Sequence, residues 1–307
     1  GTKDALSKYP VGGIVYAAKN IQSADQLKQM IDNTKLYTSY PLFIAIDGEG
    51  SGTDAVAAAG LGTKTDSPET IGASGDTNNA YTAGTTVGSY LAELGFNLDF
   101  APAADLKVVD GNAAGSSSHG TDAATVARFG AEMARGIQAA GVMACAKHFP
   151  GHGGTNVDTH KSLPTITLSM EELEAGPLVP FYAAIEAGVK SIMTTHIMFP
   201  ALDKEYPGTL SGAVLSALLR GKMRYGGIII TDCLEMGAIA SRYGAAEAAL
   251  LAAKAGADMP LISHSYNEAA RAAELISRAI EWEEMNMPEH NAALGRIAGA
   301  KEWLSMQ

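Results

Sequence analysis

Only two cysteines, Cys145 and Cys233, occur in 307 residues. They are too few for a disulfide framework and lack the paired spacing of a metal knuckle. Both lie in apolar runs, where a free cysteine usually acts as a small hydrophobe. Basic residues are scarce as well: 22 Lys and Arg stand against 33 Asp and Glu, for a net charge of -11. Such a surface repels phosphate backbones, so no nucleic-acid partner is expected. Long apolar runs are missing too. None approaches the roughly 18 residues needed to cross a bilayer, and no membrane span is expected. The opening Gly1-Thr2-Lys3-Asp4 has no signal-peptide character, although a processed chain would have lost one, so a cytoplasmic and a secreted or cell-surface location both stay open.

What is present points to one large core. The chain is 47% hydrophobic, which excludes a disordered class, and its 34 glycines suit many short strand-to-helix loops. Short apolar β-type runs alternate with longer helical stretches, the pattern of a parallel sheet in an α/β fold. Strands are predicted at 13–16, 42–47, 96–102, 143–149, 191–196, 227–232 and 258–262. Helices are predicted from the cap Ser23 to 36, at 78–94 and at 122–140. Ser169 and Glu172 form a capping box opening a helix toward 187. Further helices fit 211–219, 245–255, 267–281 and 288–304. Seven strands fall one short of a closed (β/α)8 barrel. The expectation is a TIM-like barrel whose first strand is missing ahead of this chain, since an open edge would be a liability for aggregation. No repeat, linker or low-complexity stretch divides the chain, so one domain over 1–307 is expected.

Three stretches without periodicity, 48–73, 109–120 and 150–164, each follow a strand. In a barrel they would lie at the C-terminal face, where barrel enzymes place their chemistry. Several strands end in a polar group after an apolar run: Asp47, Lys147 with His148, His196 and Asp232. One such residue is commonly a cap or loop anchor; four at one mouth are hard to explain by stability alone. The densest segment runs from Lys147 to His160. Within it Asp158 and His160 are two apart, so extended backbone would point them the same way. A carboxylate beside an imidazole fixes its tautomer and favours its charged form, which suits a proton donor. The pair could equally serve to staple a flexible loop.

These residues carry a resemblance. The segment KHFPGHG (147–153) followed by Asp158-Thr159-His160, GFNLDFAP (95–102), Ile46-Asp47-Gly48-Glu49-Gly50, Met193-Thr194-Thr195-His196 and Thr231-Asp232-Cys233-Leu234-Glu235-Met236 occur in the order of glycoside hydrolase family 3. The chain resembles in particular its single-domain β-N-acetylglucosaminidases acting on cell-wall fragments, and the likeness extends from Tyr9 to Ile297. The resemblance implies a bacterial retaining β-N-acetylhexosaminidase that acts on a small carbohydrate and needs no cofactor or metal. It assigns Asp232 as nucleophile and His160 as acid/base with Asp158 as partner. Asp47, Lys147 and His148 would bind sugar hydroxyls, and His196 would sit near them. A retaining enzyme needs one carboxylate to attack the anomeric carbon and a separate donor for the leaving oxygen. A histidine donor repels anions less than a carboxylate, which leaves phosphate conceivable as an alternative acceptor to water.

The chain also departs from the family. Where the family reads E-G-G-R, this sequence has Glu49-Gly50-Ser51-Gly52, and where it reads R-S-F-G, this sequence has Ser117-Ser118-His119-Gly120. Two sugar-gripping arginines are thereby replaced by glycine and serine, which can cost several kcal/mol of substrate binding. A non-catalytic sugar-binding relative is the first alternative. A metal-dependent barrel hydrolase using His148, His152, Asp158, His160 and His196 is the second, although the early-strand His-x-His of amidohydrolase-type barrels is absent. No motif speaks to oligomeric state.

Overall fold

The computed structural model describes residues 1–51, 54–112 and 114–307. Seven strands, β1 (Gly13–Val15), β2 (Phe43–Ile46), β3 (Leu98–Asp99), β4 (Met143–Phe149), β5 (Ser191–Thr194), β6 (Ile228–Cys233) and β7 (Met259–Leu261), coincide with the predicted runs, β6 ending one residue beyond its own. They form one parallel sheet in chain order. Period-two alternation sorts their side chains into two clusters. Ile44, Ile46, Ala144, Ala146, Ile192 and Ile229 face the helices in the larger core. Phe43, Ala45, Leu98, Phe100, Met143, Cys145, Met193, Ile228 and Ile230 form a second core on the opposite face. Both faces are thus apolar, which is why the strands read as continuous hydrophobic runs.

The sheet is curled. Ile14 and Val15 of β1, Phe43, Leu98, Ile230, and Met259 and Leu261 of β7 line one apolar cavity of about 260 Å³. The two edge strands therefore face each other across this gap, and the described ladder runs from β1 to β7. The final helix, Met287–Ser305, packs Ile297, Ala300, Trp303 and Leu304 against the inner core. Its Arg296 and the neighbouring Arg220 both pair with Asp258, whose side chain is fully buried.

Helix ends follow local chemistry. Ser23 accepts a hydrogen bond from the Gln26 N–H at 3.2 Å. The Ser169 hydroxyl accepts from the Glu172 N–H at 3.2 Å while the Glu172 carboxylate accepts from the Ser169 N–H at 2.8 Å, the expected capping box. The helices Asn78–Leu94 and Ala123–Ala139 pack closely against each other. A Cβ built on Gly136 would stand 2.2 Å from the Tyr81 carbonyl oxygen, and one on Gly84 2.2 Å from that of Met133. Only glycine lets the two backbones approach so closely.

Several elements differ from the sequence reading. The single helix expected from 169 to 187 is two, Met170–Ala175 and Val179–Glu186, because Gly176-Pro177 interrupts it. The helix expected at 211–219 is a π-helix, Ala213–Lys222. The stretch 48–73, expected to lack periodic structure, contains the short helices Ala55–Ala58 and Pro68–Ala73, capped by Asp54 and Ser67. The opening residues form the helix Thr2–Lys8. The run 96–102 keeps only two strand residues, with the Ala101–Pro102 peptide cis.

Candidate active site

The C-terminal ends of the strands open onto a cavity of about 520 Å³ whose walls include Asp47, Glu49, Ser117, Lys147, His148 and Asp232. Asp47 follows β2, Lys147 and His148 end β4, and Asp232 lies at the end of β6. Regular alternation would aim Lys147 and His148 to opposite faces. Instead the β4–β5 register shifts between Ala146 and Phe149, and both residues reach the cavity. A second shift, between Ile230 and Cys233 in the β6–β7 pairing, brackets Asp232. Such irregularities commonly re-aim side chains beside active sites.

Lys147 is the charge centre. Its Nζ donates to Asp47 Oδ1 at 2.7 Å and lies 3.1 Å from Glu49 Oε1, with only 5% of the side chain exposed. Burial alone would lower the lysine pKa, but the two carboxylates outweigh it and hold the group firmly charged. The same contact, together with a hydrogen bond donated by Ser117, keeps Glu49 ionised against its own burial. Ser117, the residue that the sequence comparison set against a family arginine, meets the Glu49 carboxylate with its hydroxyl. The other such position, Gly52, lies outside the described residues.

Asp105 organises His148 from beneath. This fully buried carboxylate accepts from the His148 backbone N–H at 3.2 Å, from His148 Nδ1 at 2.7 Å and from the His152 N–H at 2.6 Å. Burial would raise the Asp105 pKa, but the charge and hydrogen bonds of His148 overcome it and lower the pKa. In return, Asp105 raises the His148 pKa despite that residue's burial. With Nδ1 occupied, His148 presents Nε2 as its remaining polar atom. Asp99 is a different case. It is completely buried, Oδ1 accepts from the Gly48 N–H at 2.8 Å, and Oδ2 has no partner among the described residues. Burial and the nearby Asp47 push its pKa well up, favouring the neutral acid under the loop that carries Asp47.

Asp158 and His160 pair as expected but by another route. Asp158 Oδ1 accepts from His160 Nδ1 at 2.8 Å and from the His160 N–H at 2.9 Å. The backbone there is a turn, closed by Lys161 N–H to the Asp158 carbonyl at 3.0 Å, rather than the extended segment expected. Nε2 is left as the free nitrogen. The imidazole is 75% exposed and is not among the cavity's walls. Its loop is nevertheless tied to the segment following Asp232: the His160 carbonyl accepts from the Gly237 N–H at 3.0 Å and the Thr159 carbonyl from the Ala238 N–H at 3.1 Å.

His196, expected near the sugar-binding residues, is fully buried and outside the cavity wall. Its Nε2 donates to the Cys233 carbonyl at 2.9 Å, and Nδ1 lies 2.9 Å from the Thr209 hydroxyl. Burial lowers its pKa, so the neutral ring braces the strand end that carries Asp232. The structure therefore does not bring His196, grouped by the resemblance with the substrate-binding residues, onto the cavity wall beside Asp47, Lys147 and His148. The histidines weighed as metal ligands are dispersed among protein partners: His148 on Asp105, His152 Nε2 3.3 Å from the Thr159 hydroxyl, His160 on Asp158. Among the described residues they form no group of three that could share an ion. Cys145 is the expected buried hydrophobe, its thiol pushed up to about 12 by burial. Cys233 is not: its Sγ sits in a polar cluster 3.1 Å from the Ser263 hydroxyl.

Sequence reasoning missed Asp105, which falls just beyond the recognised stretch 95–102 and has no periodic signal. It also passed over Asp54, a buried cavity residue accepting from the N–H groups of Gly50, Val56 and Ala57 and from the Tyr90 hydroxyl.

Known proteins give the arrangement its context. The family model for the glycosyl hydrolase family 3 N terminal domain matches residues 1–300. The chain is 30% identical to a β-hexosaminidase A of Pseudoalteromonas piscicida over 97% of its own length and 54% of that protein's. To a β-hexosaminidase of Neisseria gonorrhoeae it is 31% identical, over 85% of this chain and 73% of that one. Among solved structures, a family 3 β-N-acetylglucosaminidase from Paenibacillus sp. str. FPU-7 superposes with a TM-score of 0.91 at 36% identity, covering 99% of this chain and 59% of that one. A β-N-acetylhexosaminidase from Beutenbergia cavernae gives 0.90 at 25% identity, over 98% and 92%. The chain spans about half the length of the first two curated relatives it matches. By the extent of the family match, the chain belongs to glycosyl hydrolase family 3.

Proposed function

We propose that this chain is the catalytic domain of a retaining exo-glycosidase that releases terminal β-linked N-acetylhexosamine, N-acetylglucosamine first among candidates, from cell-wall-derived or related glycosides. Asp232 attacks the anomeric carbon and forms a covalent glycosyl-enzyme, while His160 protonates the leaving oxygen and then activates water. Asp158 holds the His160 Nδ1 and so directs Nε2 to proton transfer. Asp47, Lys147 and His148 bind sugar hydroxyls. The observation that carries this reading is Asp232 opening onto the same cavity as those three residues. His160 reaches the bond by movement of its exposed loop, whose anchorage to Gly237 and Ala238 keeps it beside the Asp232 segment. The architecture that this reading implies is a TIM-like (β/α)8 barrel, of which the described residues supply seven strands.

Release of nitrophenol from N-acetyl-β-glucosaminide, N-acetyl-β-galactosaminide, β-glucoside and β-xyloside tests catalysis and sugar preference together. Asp232→Ala is expected to abolish release. His160→Ala is expected to slow poor leaving groups far more than activated ones, by roughly 10²–10⁴-fold; equal slowing of both would remove His160 from the donor role. A product assay for sugar phosphate distinguishes phosphate from water as acceptor. Ser117 at an arginine position favours one second reading, a sugar-binding relative with weak or no turnover. Saturable sugar binding without product release would identify it.

A further inference from the structure

Beside the proposed nucleophile lies a set of side chains that sugar cleavage does not use. Cys233 follows Asp232 at the end of β6, Glu235 follows two residues later, and His264 follows β7. The Cys233 Sγ is 3.6 Å from His264 Nδ1 and 3.7 Å from Glu235 Oε2, and Nδ1 is 3.3 Å from Oε2. Among the described residues this is the one group of three metal-ligating side chains so placed.

The triangle has the dimensions of a coordination shell. With ordinary zinc bonds of about 2.3 Å to sulfur, 2.05 Å to nitrogen and 2.1 Å to oxygen, tetrahedral angles separate the ligand atoms by about 3.6 Å (S–O), 3.6 Å (S–N) and 3.4 Å (N–O). The three separations in the structure agree to within about 0.1 Å of these. The carboxylate is also preset: Glu235 Oε2 accepts from the N–H groups of Ser263 at 2.9 Å and His264 at 2.6 Å. Cys233 is 8% exposed, whereas the His264 side chain is 70% exposed. One side of the site is thus fixed and sheltered, and the other is open for an ion to enter.

We propose that Cys233, Glu235 and His264 form a binding site for a thiophilic divalent cation, best matched by Zn²⁺, whose occupancy suppresses chemistry at Asp232. Thiolate, imidazole and carboxylate together select zinc-like ions over Mg²⁺ or Ca²⁺. Binding replaces the thiol proton by the metal and releases that proton to solvent, with no change of oxidation state. Three protein ligands leave a fourth position for water or a substrate oxygen. His264 and Asp232 line the same cavity, and the Cys233 N–H donates to Asp232 Oδ1 at 2.7 Å. A dication there attracts the nucleophile's negative charge and blunts its attack. The inhibitory half rests on the glycosidase reading; the binding half does not.

Cobalt(II) separates the two. Titration of the purified metal-free chain with Co²⁺ is expected to give a thiolate-to-cobalt charge-transfer band and tetrahedral d–d bands, saturating at one equivalent and displaced by Zn²⁺. Cys233→Ser should abolish the charge-transfer band. His264→Ala, which removes an exposed ring, should weaken cobalt binding by at least ~10-fold while the circular dichroism spectrum stays native. Absence of the band from the wild-type chain, or its persistence in Cys233→Ser, overturns the site. In parallel, Zn²⁺ at the saturating level should slow aryl N-acetyl-β-glucosaminide hydrolysis at least ~10-fold in the wild type. It should leave His264→Ala near that variant's own metal-free rate, and equal inhibition of both overturns the regulatory role. A metal-free chain with no hydrolysis counts against the glycosidase reading alone, and the cobalt spectra still support or overturn the site.

Discussion

Replacing Asp105 by alanine tests the electrostatic logic of the cavity. This carboxylate has no exposed surface and serves three donors: the His148 N–H, His148 Nδ1 and the His152 N–H. Alanine leaves two backbone N–H groups without an acceptor, each worth about 1–3 kcal/mol, and strands a partly buried imidazolium. Removing one member of a buried pair costs about 3–5 kcal/mol in total, a large share of the roughly 5–15 kcal/mol that stabilises a folded chain. Asp105→Asn keeps one acceptor and should lose less, about 1.5–3 kcal/mol. The penalty must depend on pH in a set direction. His148 has its folded pKa raised above 6.5, so its contribution is complete below that value and is lost as pH rises through the folded value. Asp105 has its folded pKa depressed below 3.8, so its contribution holds above that value and is lost as pH falls through the folded one. Urea unfolding of wild type and both variants across the range from acid to mildly alkaline pH measures this. The difference between wild type and Asp105→Ala should be flat between the two unfolded values, 3.8 and 6.5, and shrink outside them until each folded pKa is passed. A penalty below about 1 kcal/mol near neutral pH, or one unchanged across the whole range, refutes the pairing argument.

Lys147→Met should leave Asp47 and Glu49 without their shared cation. Activity should drop, and the acid limb of the pH–rate profile should move upward as the Glu49 pKa rises. Gly136→Ala would drive a methyl group against the Tyr81 carbonyl; thermal or urea unfolding should show a loss of about 1–3 kcal/mol or more. Asp258→Ala should cost about 3–5 kcal/mol by stranding Arg220 and Arg296 and loosening the final helix, a change visible as faster amide exchange in Met287–Ser305.

The pattern of apolar runs was enough to place all seven strands, because a strand buried on both faces writes itself as an uninterrupted hydrophobic segment. The ends of the helices Asn78–Leu94 and Ala245–Ala255 were legible in the same way, the glycine after each taking a positive φ that few other residues adopt. Polar strand ends marked Asp47, Lys147 with His148, His196 and Asp232 for one mouth; the cavity wall includes all of them except His196. What the linear order did not hold were contacts between segments far apart in it. Asp105 meets His148 across 43 residues, His196 meets the Cys233 carbonyl across 37, and Cys233 meets His264 across 31. The character of each group is set by that meeting. Burial with two histidines lowers the Asp105 pKa, burial beside other carboxylates raises that of Asp99, and the position of Cys233 at a strand end puts a cysteine from an apolar run into a polar cluster. Residue type supplies the chemistry available; desolvation and the partner brought by folding decide which form is taken.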